Sequence, residues 1–307
     1  MPKHFITFRD LSKEEYNFIF ERTRKLKHER YQHHYYRNHL GGRPIAMLFS
    51  KPSTRTRVSF ECAINELGGH PIVINLGDSQ WARGEPLSHS ARVYSRYVSG
   101  IVIRHTAEED LVSLADWASV PVINALTDER HPCQVLADVF TVIENLDGKP
   151  LEEQTIAWVG DGGNMANTWL EAAAVLGFGL NMANPPGYLP DPDIVSAAQN
   201  DNPRVKFFES PQECVKGAFV VTTDVFASMG QEAQREERLK AFQGYQVNAG
   251  LMAQALPNAI FLHCLPAHPG EEVTDEVIEG FQSVVFDEAE NRLHAQKALL
   301  EYLIPAK

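Results

Sequence analysis

Cysteine is scarce and nowhere paired in this 307-residue chain: Cys62, Cys133, Cys214 and Cys264 stand far apart, with no C-x-x-C. That spacing offers neither a disulfide framework nor a zinc ribbon, and it suits a reducing cytosol. Long apolar runs are lacking as well. No stretch approaches the roughly 20 apolar residues of a membrane span. The N-terminal MPKHFITFRDLSKEEY carries charges every few residues where a signal segment would be apolar. The expectation is a soluble, unprocessed, cytoplasmic protein. Positive charge is in deficit, with 28 Lys and Arg against 40 Asp and Glu for a formal charge of -12. A nucleic-acid partner is thereby disfavoured, because a phosphate backbone needs clustered cations, whereas a small anion needs only a local basic pocket.

The 44% hydrophobic content is enough for a core in each of roughly two domains. A helix is expected from Leu11 to about His39, opened by Ser12 with Glu15 at capping-box spacing. The neighbours His33 and His34 point to different faces of it and read as surface. Short strand-like runs follow at Pro44 to Phe49, Ile72 to Leu76, Ile101 to Arg104 and Val120 to Ala125. Helical patterns such as Val58 to Leu67 and Glu108 to Ala118 separate them. A helix from Pro132 to Leu146 runs into Asp147-Gly148-Lys149-Pro150, a turn-rich break before a second unit. That unit has strand runs at Thr155 to Val159, Leu180 to Ala183, Val205 to Phe208, Phe219 to Thr223 and Ile260 to His263. Asp287 to Leu303 closes the chain as a helix, with Ala295, Ala298, Leu299 and Tyr302 on one apolar face. Strands alternating with helices imply an α/β fold with parallel sheets covered on both faces, in which ligands bind beyond the carboxyl ends of the strands.

The chemistry-bearing residues cluster at those ends. After the first strand, Ser50-Lys51-Pro52-Ser53-Thr54-Arg55-Thr56-Arg57 leads into a helix whose free amides and dipole favour an anion. The hydroxyls alone would fit a well-capped helix, but guanidinium groups add bidentate recognition of phosphate. Arg104 ends a buried strand, where a charge must be paired or face a cleft. His131-Pro132-Cys133-Gln134 follows the next strand; alone, such a histidine is more often a structural cap than a catalyst. Val159-Gly160-Asp161-Gly162-Gly163-Asn164 resembles a dinucleotide turn, yet Met165 and Ala166 stand where the third glycine of G-x-G-x-x-G would be. A nicotinamide oxidoreductase is therefore disfavoured, and Asn164 is left to present an amide to a carboxylate. Asp224-Val225-Phe226-Ala227-Ser228-Met229-Gly230 sets an anion, a natural partner for an ammonium group, at a strand end. Cys264 in His263-Cys264-Leu265-Pro266 reads on its own as nucleophile, metal ligand or packing, with packing the default.

Together, Ser53-Thr54-Arg55-Thr56-Arg57, His131-Pro132-Cys133-Gln134, Asp224 with Ser228-Met229-Gly230, and His263-Cys264-Leu265-Pro266 resemble the aspartate/ornithine transcarbamoylase family over nearly the whole chain. The Ser-Met-Gly loop and the cysteine mark its ornithine branch. The resemblance implies two Rossmann-like α/β/α domains linked by interdomain helices. These are a carbamoyl-phosphate domain at 1–147, onto which the final helix at about 288–307 packs back, and an ornithine domain at 148–287. It also implies transfer of the carbamoyl group of carbamoyl phosphate to the δ-amine of L-ornithine, giving citrulline, with no cofactor and no metal. By the same resemblance Ser53, Thr54, Arg55 and Thr56 hold the phosphate, Arg104 spans phosphate and carbonyl oxygen, and His131 donates to that oxygen. Gln134 and Arg292 hold the carbamoyl group, and Cys264 with the carbonyl of Leu265 faces the reacting centre. Arg55, Arg104, His131 and Cys264 are the catalytic candidates. Gln80 lies in a loop that in the family crosses to a neighbouring subunit of a trimer or a multiple of trimers. Asn164, Asp224, Ser228 and Met229 hold ornithine. Leu87-Ser88-His89-Ser90 departs from the family's usual acidic residue and threonine, as does Pro269 from its frequent arginine. Competing readings are another amine acceptor, such as acetylornithine or putrescine, and a ligand-binding paralogue without turnover.

Overall fold

A computed structural model describes residues 2–306 except 33–35 and 228–231. His33 and His34 thus lie outside the described residues. The chain divides into two compact units, Met1–Phe140 with Glu290–Lys307, and Thr141–Ala289.

In the first unit, helix α1 (Lys13–Tyr31) opens on the expected capping box: Ser12 Oγ accepts from Glu15 N at 3.4 Å, and Glu15 Oε2 accepts from Ser12 N at 2.8 Å. Its buried residues Tyr16, Ile19, Phe20, Thr23 and Leu26 recur at helical spacing, so one stripe faces the core. The helix stops at Tyr31, short of the His39 expected from sequence. Beyond it come β1 (Pro44–Phe49), α2 (Thr54–Glu66), β2 (His70–Asn75), α3 (Leu87–Tyr97), β3 (Ile101–Arg104), α4 (Glu108–Trp117), β4 (Val122–Leu126) and α5 (Pro132–Glu144). The four strands pair in parallel in the order β2-β1-β3-β4. Strands β1 and β3 are almost wholly buried, and β2, at the edge, is half-exposed.

The second unit holds β5 (Thr155–Val159), α6 (Asn164–Leu176), β6 (Gly179–Ala183), α7 (Pro192–Asp201), β7 (Val205–Phe207), α8 (Pro211–Val215) and β8 (Val220–Thr223). It continues with α9 (Arg235–Ala241), α10 (Ala249–Met252), β9 (Ile260–His263) and α11 (Asp275–Ile278), and α12 (Val285–Leu303) carries the chain back into the first unit. Its sheet is again parallel, in the order β7-β6-β5-β8-β9. The α/β class with two parallel sheets is therefore the fold. Strand ends differ from the sequence reading by a residue or two.

Each strand order reverses once, and that reversal locates the sites. In the first sheet the chain leaves β1 for β2 on one side and returns to β3 on the other. The carboxyl ends of β1 and β3 therefore open between helices that run to opposite faces. The same switch falls between β5 and β8 in the second sheet.

Candidate active site

Both ends of the first switch point carry the residues singled out from sequence. Ser53, after β1, is the N-cap of α2 in extended conformation, yet its hydroxyl does not cap the helix; it accepts from Arg104 Nη1, at the end of β3, at 2.8 Å. The first amides of α2 therefore keep their pull on an anion. Thr56 is buried, while Thr54 and Arg55 are exposed. Arg57 turns away and ion-pairs with Glu61 at 2.8 Å on the exposed face, so it is not part of the cluster.

His131 precedes Pro132, the first residue of α5, and its carbonyl accepts from Gln134 N at 3.0 Å. Gln134 is buried, donates from Nε2 to the buried Asp138 at 2.8 Å, and accepts at Oε1 from Arg292 Nη1. Arg292, on α12, is itself buried and donates from Nη2 to Thr56 Oγ1 at 3.3 Å. One guanidinium thus joins α2, α5 and α12. The His131 imidazole is held well below its ordinary pKa, first by burial and then by the charges of Arg292, Arg104 and Arg55. At neutral pH it is uncharged, inside a cluster of cations that an anion would relieve. Cys133 beside it is a packing group: it donates to Asn124 O at 3.2 Å, and burial pushes its thiol up to about 12.

Gln80 is not brought to this cluster. It is exposed at the start of a 3-10 turn, Trp81–Arg83, and its side chain hydrogen-bonds to none of the described residues.

The second switch point gathers the other set. Asp224 follows β8; its Oδ1 accepts from its neighbour's amide, Val225 N, at 2.8 Å and from Cys264 Sγ, just past β9, at 3.1 Å. Leu265, at φ 57°, donates its amide to His263 Nδ1 at 2.9 Å, and His263 Nε2 lies 3.2 Å from Glu272 Oε1 in the core. The buried His263–Glu272 pair fixes the loop that presents Cys264 and the Leu265 carbonyl. Asn164 opens α6 at the end of the glycine turn. That turn is shaped by the chain itself: a Cβ on Gly162 would stand 2.2 to 2.5 Å from the Leu189–Pro190 backbone. The close approach that Gly162 permits is thus to the chain's own backbone. Ser228 and Met229 lie outside the described residues.

Four contributors went unnoticed in the sequence: Asp138, Glu272, Gln296 and Arg238. Buried Arg238 donates to Phe226 O, ion-pairs with Asp161 at 2.6 Å, and stacks on the Tyr188 and Phe242 rings at 4.7 and 5.4 Å. Burial raises the Asp161 carboxyl against the pull of Arg238, and the charge of Asp224 pushes the same way. No motif marks such residues; the i,i+4 spacings of Gln134 with Asp138, Arg292 with Gln296 and Arg238 with Phe242 offered the signal there was.

Asp224, His263 and Cys264 offer three ligand atoms within 4.8 Å of one another, as do His268, Glu271 and Glu272. Both His263 nitrogens are already engaged, which leaves the first group two ligands. In the second, Glu271 pairs with Arg235, and Glu272 is shared between His263 and the amide of His268.

Comparison with known proteins gives a consistent picture. Residues 3–144 match the family described as aspartate/ornithine carbamoyltransferase, carbamoyl-P binding domain, and residues 152–303 match its Asp/Orn binding domain. The ornithine carbamoyltransferase of Desulfotalea psychrophila is 51% identical over 98% of this chain and 99% of its own. That of Geobacter sulfurreducens is 50% identical over 99% of this chain and 100% of its own. The solved ornithine carbamoyltransferase of Pyrococcus furiosus superposes with a TM-score of 0.92 at 43% identity, covering 99% of this chain and 97% of that one.

Proposed function

The chain belongs to the aspartate/ornithine carbamoyltransferase family, and from that premise we propose that it transfers the carbamoyl group of carbamoyl phosphate to the δ-amine of L-ornithine, releasing citrulline and phosphate. The observation that carries the reading is the buried, neutral His131 with Arg292, Arg104 and Arg55 bearing on it. Such a cluster is matched to a small dianion with a carbonyl beside it.

The phosphate lies in the cradle of Ser53, Thr54, Arg55, Thr56 and the α2 amides. Arg104 spans phosphate and carbonyl oxygen, and Gln134 and Arg292 hold the carbamoyl amide. Ornithine is held at its α-ammonium by Asp224 and Ser228, and at its carboxylate by Asn164 and the Met229 backbone. Cys264 and the Leu265 carbonyl face the δ-amine. That amine resembles the side chain of lysine, with a pKa near ~10.4, and must lose its proton to attack. Like charges at Arg55, Arg104 and Arg292 favour the neutral form, while Asp224 keeps the α-ammonium charged. The amine nitrogen bonds to the carbamoyl carbon, and negative charge moves onto the carbonyl oxygen. Thr56, Arg104 and His131 receive it, at about 3 kcal/mol of transition-state stabilisation per well-placed donor. The carbonyl then re-forms as the carbon–oxygen bond to phosphate breaks with its electron pair going to the phosphate, which takes up the proton that the nitrogen gives up.

A ureido-product colour assay with carbamoyl phosphate and a panel of amines tests this. Citrulline from ornithine in clear excess over product from acetylornithine, putrescine or aspartate is the expected result. Product from another amine with none from ornithine would overturn it. We place the chain in a reducing cytosol, in arginine metabolism, as a homotrimer or a multiple of trimers. In support, Cys62, Cys133, Cys214 and Cys264 are all free thiols, no described helix is long and apolar enough to cross a membrane, and Gln80 is exposed as a loop serving a neighbour would be. A sedimentation mass of one chain would rule the assembly out.

A further inference from the structure

Arg292 is held on one edge by Gln134 and Thr56, and on the other by a residue outside the proposed phosphate and carbamoyl contacts. Gln296 lies one turn further along α12 and is wholly buried. With its amide oriented to satisfy its neighbours, its oxygen accepts from Arg292 Nε at 3.1 Å and Nη2 at 3.0 Å. Its nitrogen donates to Ser59 Oγ at 2.7 Å and to the Arg292 carbonyl at 3.2 Å. Ser59, one turn further along α2 than Thr56, donates in turn to the Thr56 carbonyl at 3.2 Å. The circuit closes: Thr56 carbonyl, Ser59, Gln296, Arg292 and back to the Thr56 hydroxyl at 3.3 Å. A serine hydroxyl can stand in it because it both accepts and donates.

Resting on the proposed carbamoyl transfer, we infer that Gln296 and Ser59 are positioning residues that hold the Arg292 guanidinium on the carbamoyl group. Arginine has several soft torsions, and a buried guanidinium keeps one direction only while each acceptor that holds it stays in place. An apolar side chain at 296 removes the one oxygen that accepts two of the guanidinium's hydrogen bonds, so the guanidinium swings toward whatever acceptors remain. Arg292 then meets the carbamoyl group displaced, and displacement of about 1 Å lowers turnover on the order of 10²-fold.

The test compares Gln296→Leu, Gln296→Glu, Ser59→Ala, Arg292→Ala and the Arg292→Ala/Gln296→Leu double variant, with thermal unfolding to establish that each folds. Gln296→Leu is expected to lower kcat on the order of 10²-fold while the KM for ornithine holds. Gln296→Glu keeps an acceptor oxygen and recovers most of that turnover. In the Arg292→Ala background the leucine should bring no further loss, because its effect runs through the missing guanidinium. If the leucine variant does not fold, Ser59→Ala carries the test through a several-fold fall in kcat. Equal losses from the leucine in both backgrounds, or a folded Gln296→Leu at the wild-type rate beside a wild type that makes citrulline, would overturn this inference alone. No citrulline from the wild-type chain would sink the reading beneath it as well.

Discussion

At the scale of a residue, His131 is where burial and charge act in one direction. Its folded pKa lies well below the ordinary value of about 6.5 that it regains when unfolded. The sign follows from proton counting. Below pH ~6.5 the unfolded chain binds a proton at His131 that the folded chain refuses, so stability falls as pH drops through that range; above it the residue contributes no slope. Burial and nearby cations lower His294 too, and burial lowers His4, so the readout is a difference between variants. Urea unfolding of wild type and His131→Gln at pH 7.5 and 5.5 should show a shallower acid decline in the variant, by up to about 1.4 kcal/mol per pH unit. Parallel declines would mean that His131 takes up its proton normally in the folded protein. The groups that make this histidine unusual were only partly legible in the sequence. Ser53 and Arg104 announced themselves by position at strand ends, and they do meet. Arg57 had the same chemistry as Arg55 but the opposite direction, because helical geometry set it over Glu61 four residues on. Arg238 and Glu272 each have one partner four residues away, Phe242 and His268, but their ionic partners Asp161 and His263 lie far along the chain or in the core, where only folding brings them.

At the scale of an element, the turn between β5 and α6 shows how a glycine can be required by packing. Gly162 donates its amide to Tyr188 O at 2.9 Å, which pulls the 188–190 segment against it. Backbone, not a flexible side-chain tip, lies where a Cβ would go, so relief requires moving a main chain. Gly162→Ala should lower stability by about 2 kcal/mol or more, in the overpacking range. It should also raise the KM for ornithine, because Asn164, proposed to hold the ornithine carboxylate, follows two residues later. Gly77→Ala, where the nearest atom is a side-chain oxygen at 3.6 Å, is the matched control and should stay within about 0.5 kcal/mol. Chemical unfolding of both variants decides it; equal, small losses would mean that the 188–190 segment yields freely. Elements as such were the most legible part of the chain. Pro44–Phe49, Ile101–Arg104, Thr155–Val159 and Ile260–His263 are buried apolar runs bounded by polar or turn residues, and their limits agree with the sequence reading. The first helix was read too long because its polar, histidine-rich continuation to His39 has no glycine or proline to stop it. Its actual end at Tyr31 is set by where core contact runs out, the last buried residue being Leu26.

At the scale of the whole molecule, the first unit is built from both ends of the chain and the second from an unbroken middle. The last 18 residues give the first unit more than Arg292. Buried Lys297 meets Glu66 at 2.7 Å, Lys27 donates to Asn291 at 2.8 Å, and Arg43 donates to Pro305 O at 2.8 Å. Leu299, Leu300, Leu303 and Ile304 are all buried. At about 1.5–3 kcal/mol for each buried apolar side chain, those four alone rival the roughly 5–15 kcal/mol that separates a typical folded domain from its unfolded chain. Removing the segment would also take buried Lys297 from Glu66, leaving it the more exposed Arg30. A chain ending at residue 289 is therefore expected to lose the cooperative unfolding of the first unit and to bind a hydrophobic dye. The 141–289 segment should keep a cooperative thermal transition of its own, since its five-stranded sheet and the apolar cluster around Val221, Phe242 and Phe261 draw on no residue outside it. Calorimetry on the two pieces separates the possibilities. A sharp transition from 1–140 alone would show that the sheet β2-β1-β3-β4 stands without α12, and the C-terminal helix would then be an accessory to the carbamoyl-phosphate site and not a part of the core beneath it.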